Sequence, residues 1–103
     1  MRNARSIARF LESAACMLAH TTSSADLELV PLILAATNST PGVFVEIGAN
    51  DGYSDSMTYI LERCFGWKGV LIEAQPDVYR LLERSNRTSV KVHAAACEAG
   101  TSV

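Results

Sequence analysis

Cysteine is scarce in this sequence: Cys16, Cys64 and Cys97 are an odd number, far apart, without the paired short spacings of a zinc site. They read as buried free thiols, which suits an intracellular, reducing compartment, cytoplasmic or organellar. His20 and His93 stand alone, without the clustered acids or thiols that hold an ion, so no metal is expected. Basic charge is not in excess either. Nine basic against 11 acidic residues leave a formal charge of −2 and a pI near 5.6, which gives no footprint for nucleic acid. No apolar tract approaches the roughly 20 residues of a membrane helix, so no membrane partner is expected. At 49% hydrophobic and 19% charged, the 103 residues form one globular unit and not a low-complexity chain.

What is present centres on Val43-Phe44-Val45-Glu46-Ile47, after Pro41-Gly42. Four apolar residues in five predict a short strand buried on both faces, as in the middle of a parallel sheet. Gly48-Ala49-Asn50-Asp51-Gly52 follows as a small-residue turn. Ser54, an N-cap candidate, then opens a helix over 54–65 carrying Met57, Ile60, Leu61, Cys64 and Phe65. Strand, glycine turn and helix together form a cofactor-cradle pattern. Gly48 and Gly52 allow positive φ and close approach of a ligand, and Asn50 visits the same region. The dinucleotide fingerprint G-x-G-x-x-G is not met, because Glu46-x-Gly48-x-Asn50-x-Gly52 stands in its place. Asp51 and Asp55 also bring negative charge where a pyrophosphate would lie. A cationic ligand such as S-adenosylmethionine (SAM), with its sulfonium and ammonium, suits Glu46 and Asp51 better. The same glycines also fit a plain corner, with the two aspartates serving the helix dipole.

A second apolar run, Gly69-Val70-Leu71-Ile72, ends in Glu73 and leads to Pro76-Asp77. In doubly wound sheets an acid at the end of the second strand, about 20 residues after the glycines, accepts the cofactor's ribose hydroxyls. Glu73 is placed for that role. A carboxylate capping the next helix is the plainer alternative, although Asp77 already serves that first turn.

Val45-Glu46-Ile47-Gly48-Ala49-Asn50-Asp51-Gly52 followed by Gly66-Trp67-Lys68-Gly69-Val70-Leu71-Ile72-Glu73-Ala74 resembles the start of the FkbM-type SAM-dependent methyltransferase domain. Ser24-Ala25-Asp26-Leu27-Glu28-Leu29 resembles the polar-Asp segment that precedes it, and the likeness covers about positions 24 to 97. The resemblance implies that Glu46, Gly48, Ala49, Asn50, Asp51 and Gly52 lie on the SAM loop and that Glu73 is the ribose acid. It also implies methyl transfer to a hydroxyl of a sugar or small molecule.

Upstream, Ile7, Phe10, Leu11, Ala14, Ala15 and Leu18 repeat at helical spacing, with Arg2, Arg5 and Arg9 at the start. This is either a packing helix or an acid-poor transit peptide. A polar linker ends at residue 22, and residues 23–103 form the partial SAM-binding domain. Ser23 and Asp26 have capping-box spacing before a second helix, which Pro31 is expected to kink. Gly66 suits a left-handed C-cap with Trp67 folded back on it. Pro76 opens a helix with Val78, Leu81 and Leu82 inward and Arg80, Glu83, Arg84 and Arg87 in water. Val90, Val92 and Ala94 alternate with Lys91, His93 and Ala95, an edge strand in which His93 is exposed.

The fold expected is therefore α/β, a Rossmann-like methyltransferase half-domain with parallel sheet order 3-2-1, preceded by helices and truncated relative to a complete fold. Strand 43–47 would then be a free edge through which the chain self-associates. The alternatives are a non-catalytic truncated SAM-binding or interaction module and a dinucleotide-dependent oxidoreductase. No residue of the sequence recommends itself as the catalytic base.

Overall fold

A computed structural model describes residues 4–22 and 24–95. Its elements in order are α1 (Ala4–His20), α2 (Ser24–Ala36), β1 (Val43–Ile47), α3 (Met57–Phe65), β2 (Lys68–Glu73), α4 (Pro76–Arg84) and β3 (Val90–His93). Cys97, the loop expected over 98–102 and the Ser23 half of the capping box lie outside the described residues.

Two β-α-β crossovers make the sheet. All three strands are parallel in the order β1-β2-β3, with Phe44 opposite Gly69, Glu46 opposite Leu71 and Glu73 opposite His93. The expected order 3-2-1 is this arrangement read from its other end. Residues in register share a face, and right-handed crossovers to the same side put both connecting helices on one face. The core accordingly joins Phe44 and Leu71 of the sheet to Ile60 and Leu61 of α3 and Leu82 of α4, with Val30, Ala49 and Trp67 completing it.

The other face is bare. Val43, Val45 and Ile47 are 80%, 65% and 64% exposed, so β1 is an edge strand covered on one face and not the doubly buried strand its apolar run suggests. A continuous apolar run shows that a strand is apolar on both faces, and whether both are covered depends on what else packs there.

Helix ends follow local chemistry. Ser56, not Ser54, is the N-cap of α3: its side chain accepts the Tyr59 amide, and residues 53–56 form the turn before it. Gly66 at φ 76° closes the same helix in the left-handed region as expected, and the Trp67 amide donates to the Leu61 carbonyl. The Trp67 ring lies over Gly42, where a Cβ would stand 2.7 Å from it. Pro31 lies inside α2, which runs on to Ala36 as one helix. Asp26 caps the region from inside, its carboxylate accepting the Thr22 amide. In α4, Leu82 is buried as expected and Val78 half-buried, but Leu81 is exposed.

Helix α1 lies on α3 and turns Ser13, Cys16, Met17 and His20 toward it, so its apolar stripe of Ile7, Leu11 and Leu18 faces outward. Cys16 and Cys64 are joined by a disulfide, which corrects the expectation of free buried thiols: both are half-exposed and they staple α1 to α3. Among the described residues no helix is long and apolar enough to cross a membrane.

The candidate site at the carboxyl ends of the strands

The turn after β1 and the acid after β2 meet as the register requires. Gly48 (φ 74°), Asn50 (φ 56°) and Gly52 (φ 84°) all take left-handed backbone, the conformation expected of them. The amides of Gly48 and Ala49 both donate to the Ile72 carbonyl, tying the turn to the end of β2. The Asn50 amide donates to Glu73 Oε1 at 2.9 Å, and the Gln75 amide to Glu73 Oε2 at 3.0 Å. One buried carboxylate thus bridges the glycine turn and the start of α4. The Gln75 amide foremost, then those of Asn50 and Ala74 and the nearby His93, hold the Glu73 carboxyl below its ordinary value against the opposing effect of burial.

The two glycines do different work. A Cβ on Gly48 would meet nothing within 4 Å, and the residue is exposed, so open space stands above the turn there. A Cβ on Gly52 would meet Leu82 at 2.9 Å and Arg87 at 3.0 Å. What lies on the Cβ side of Gly52 is protein. Ala49 is buried in the core and serves packing.

Asp51 closes the turn on itself. Its carboxylate accepts the amides of Tyr53 and Ser54 and the Ser54 hydroxyl. Burial pushes this carboxyl up, but those hydrogen bonds outweigh it and leave it below its ordinary value. Glu46 points into the helical layer. It accepts the hydroxyls of Ser56 and Thr58 and lies 3.9 Å from Arg87 Nη1.

Arg87 is the residue that sequence reasoning misplaced. Its side chain is fully buried, not part of a solvated face. α4 ends at Arg84, so the helical periodicity that put Arg87 in water no longer applies three residues on. The guanidinium donates to the Gly52 carbonyl (2.9 Å), Thr58 Oγ1 (3.0 Å), Ser56 Oγ (3.3 Å) and Glu62 Oε2 (3.1 Å), with the Phe44 and Tyr59 rings on its flanks. Glu62 also accepts the amides of Thr88 and Ser89 and the Ser89 hydroxyl. The Glu62 side chain is 5% exposed, and burying an acid calls for a partner of opposite charge, but that burial is visible only in the fold and not in the sequence.

His93, exposed at the end of β3 and not in its middle, stacks on Tyr79 and contacts the Ala74 carbonyl through Nε2. Among the described residues no three His, Cys, Asp or Glu side chains gather as a metal site.

The arrangement discriminates between ligands. Anion sites at helix starts work by aiming unpaired amides at the ligand. Here the amides of residues 48, 49, 50, 52, 53 and 54 are all spent inside the protein, which disfavours a pyrophosphate. Both oxygens of Glu73 already accept amides, and no protein atom lies within 4 Å of where a Gly48 Cβ would stand. A groove of about 900 Å³ lies elsewhere, lined by α1 and α2 and by Cys64 and Phe65 at the far end of α3.

Comparison with known proteins finds no matching family model, no curated relative and no similar solved structure.

Proposed function

We propose that this chain is the cofactor-binding part of a Rossmann-like, FkbM-type SAM-dependent methyltransferase acting on a hydroxyl of a sugar or small molecule. One observation carries the reading: a glycine turn with open space above Gly48 is locked to a strand-end carboxylate, Glu73, and spends the amides of residues 48–50 and 52–54 inside the protein. The motif order of the resemblance, glycine turn on the first strand and acid on the second, agrees with that geometry. When bound, the cofactor would supply an activated methyl group on a sulfonium. The chain's own part is to hold it. Glu73 accepts the ribose hydroxyls, the Gly48–Asn50 turn lets the ligand lie against the backbone, and the nearby Asp51 carboxylate favours its positive charge, while Glu46 is turned toward Arg87 beneath the turn. The acceptor is a hydroxylated small molecule, and nothing in the fold favours nucleic acid.

Calorimetric titration with SAM, its demethylated product S-adenosylhomocysteine (SAH), and NAD tests the reading. Saturable binding of SAM and SAH without binding of NAD is the expected result. NAD binding, or no binding of either sulfur compound, would remove the proposal.

A further inference from the structure

Arg87 is fully buried at a point where nothing in a plain β-α-β unit requires a cation, and burying a guanidinium is costly unless every donor is used. Its contacts share one property. They join four segments that meet beneath the candidate cofactor turn: the turn itself through the Gly52 carbonyl, the start of α3 through Ser56 and Thr58, the body of α3 through Glu62, and the loop before β3 that carries Arg87. Gly52 is left-handed, a Cβ there would meet the Arg87 side chain itself at 3.0 Å, and its carbonyl accepts from Arg87 Nη1. The planar fork of an arginine can reach the carbonyl and the two hydroxyls at once, which a lysine cannot.

We infer that Arg87 is a positioning residue for the cofactor turn, holding the Gly52 carbonyl and the first turn of α3 in the geometry that leaves Gly48 open to the ligand. This rests on the cofactor reading above. Arg87 touches no ligand position itself and acts through Gly52 and Ser56. Glu62, on its other side, is the counter-charge that lets the guanidinium stay buried.

The test separates positioning from simple stability. In Arg87→Met/Glu62→Gln the charge and its nearest counter-charge leave together, so no unpaired ion is stranded between them, while Glu46 keeps its hydroxyl partners. A glutamine at 62 turns its NH₂ toward the Thr88 or Ser89 amide, so the unfolding midpoint of this variant falls; the expected result is amide exchange in residues 48–56 accelerated over wild type at least tenfold more than in β2, with SAH affinity reduced at least tenfold. Arg87→Lys should fall between this variant and wild type in both exchange and affinity. Unchanged exchange in 48–56, or loosening spread evenly over the chain, overturns the inference. If the double variant does not fold, the ratio of turn exchange to β2 exchange in Arg87→Lys decides in the same way. Should wild type bind no SAH, the cofactor reading fails by itself, while the exchange measurement still decides whether Arg87 holds the turn.

Discussion

Glu73 has two tasks on one carboxylate: it receives the amides of Asn50 and Gln75, and it is the candidate ribose acceptor. Removing it should therefore cost affinity twice, through the lost contact and through a loosened turn. A hydrogen bond to a charged group contributes about 1.5–3 kcal/mol, so Glu73→Ala should weaken SAH binding at least about tenfold. Glu73→Gln is not a mild substitute. Both oxygens accept amide protons, so the glutamine NH₂ would face another N–H and leave one donor unpaired. Titration of both variants checks this, and wild-type affinity in either removes Glu73 from the site. Gly48 makes the complementary case. A valine there meets no neighbour but must take positive φ, a strain of about 1–3 kcal/mol, and its methyl groups would fill the space a ligand needs. Gly48→Val should lose SAH binding while its far-ultraviolet circular dichroism stays close to wild type. Normal binding would make the turn a corner and nothing more.

At the scale of elements, the units with strong periodicity were legible before any coordinates: β1 at residues 43–47, the strand ending at Glu73, the helix opened by Pro76 and the Gly66 cap all stand where pattern and turn chemistry place them. Three things were not legible, each for a different physical reason. The start of α3 moved from Ser54 to Ser56 because two serines compete for one cap, and Asp51 already binds the first of them. The pairing of Cys16 with Cys64 depends on how α1 lies across α3, and spacing along the chain cannot supply that. The outward stripe of α1 has the same origin, since amphipathicity gives a helix an apolar face but not the neighbour it meets. The disulfide has a measurable consequence. It closes a loop across a sequence separation of 48, and constraints of this kind contribute about 2–4 kcal/mol. Because no residue of α1 is buried, the loss should be felt first in that helix. Cys64→Ser, or wild type under a dithiol reductant, should show faster amide exchange over α1 and a lower urea midpoint, with the exchange of β2 changed least. Equal exchange in oxidised and reduced protein would mean that α1 is held by its other contacts.

For the molecule as a whole, Asp51, Glu62 and Glu73 share a sign: each carboxyl is held below its ordinary value, 3.8 for Asp and 4.5 for Glu. A carboxyl whose pKa is lowered by folding adds stability above its unfolded value and loses it as pH falls through the folded one. Unfolding free energy should thus be insensitive to pH near neutrality, where these groups contribute in full, and decline below about pH 4.5, and urea midpoints between pH 7 and pH 3 measure it. A midpoint rising toward acid would contradict the hydrogen bonding assigned to them. The sheet bears on association. Parallel sheets are ordinarily covered on both faces, yet here Val43, Val45 and Ile47 lie open beside exposed Val90, and the outer edge of β1 pairs with no described strand. α1 was the element available to cover that strand, and it lies on α3 instead. An apolar edge with unpaired amides and carbonyls is a template for another strand, so this chain should self-associate through β1. Placing a charge at the middle of the strand, Val45→Lys, opposes that contact without touching the core, because the side chain points away from the helices. Light scattering of wild type should show mass rising with concentration, and Val45→Lys should return it toward the monomer. A wild type that stays monomeric at millimolar concentration would show that the β1 edge does not drive association.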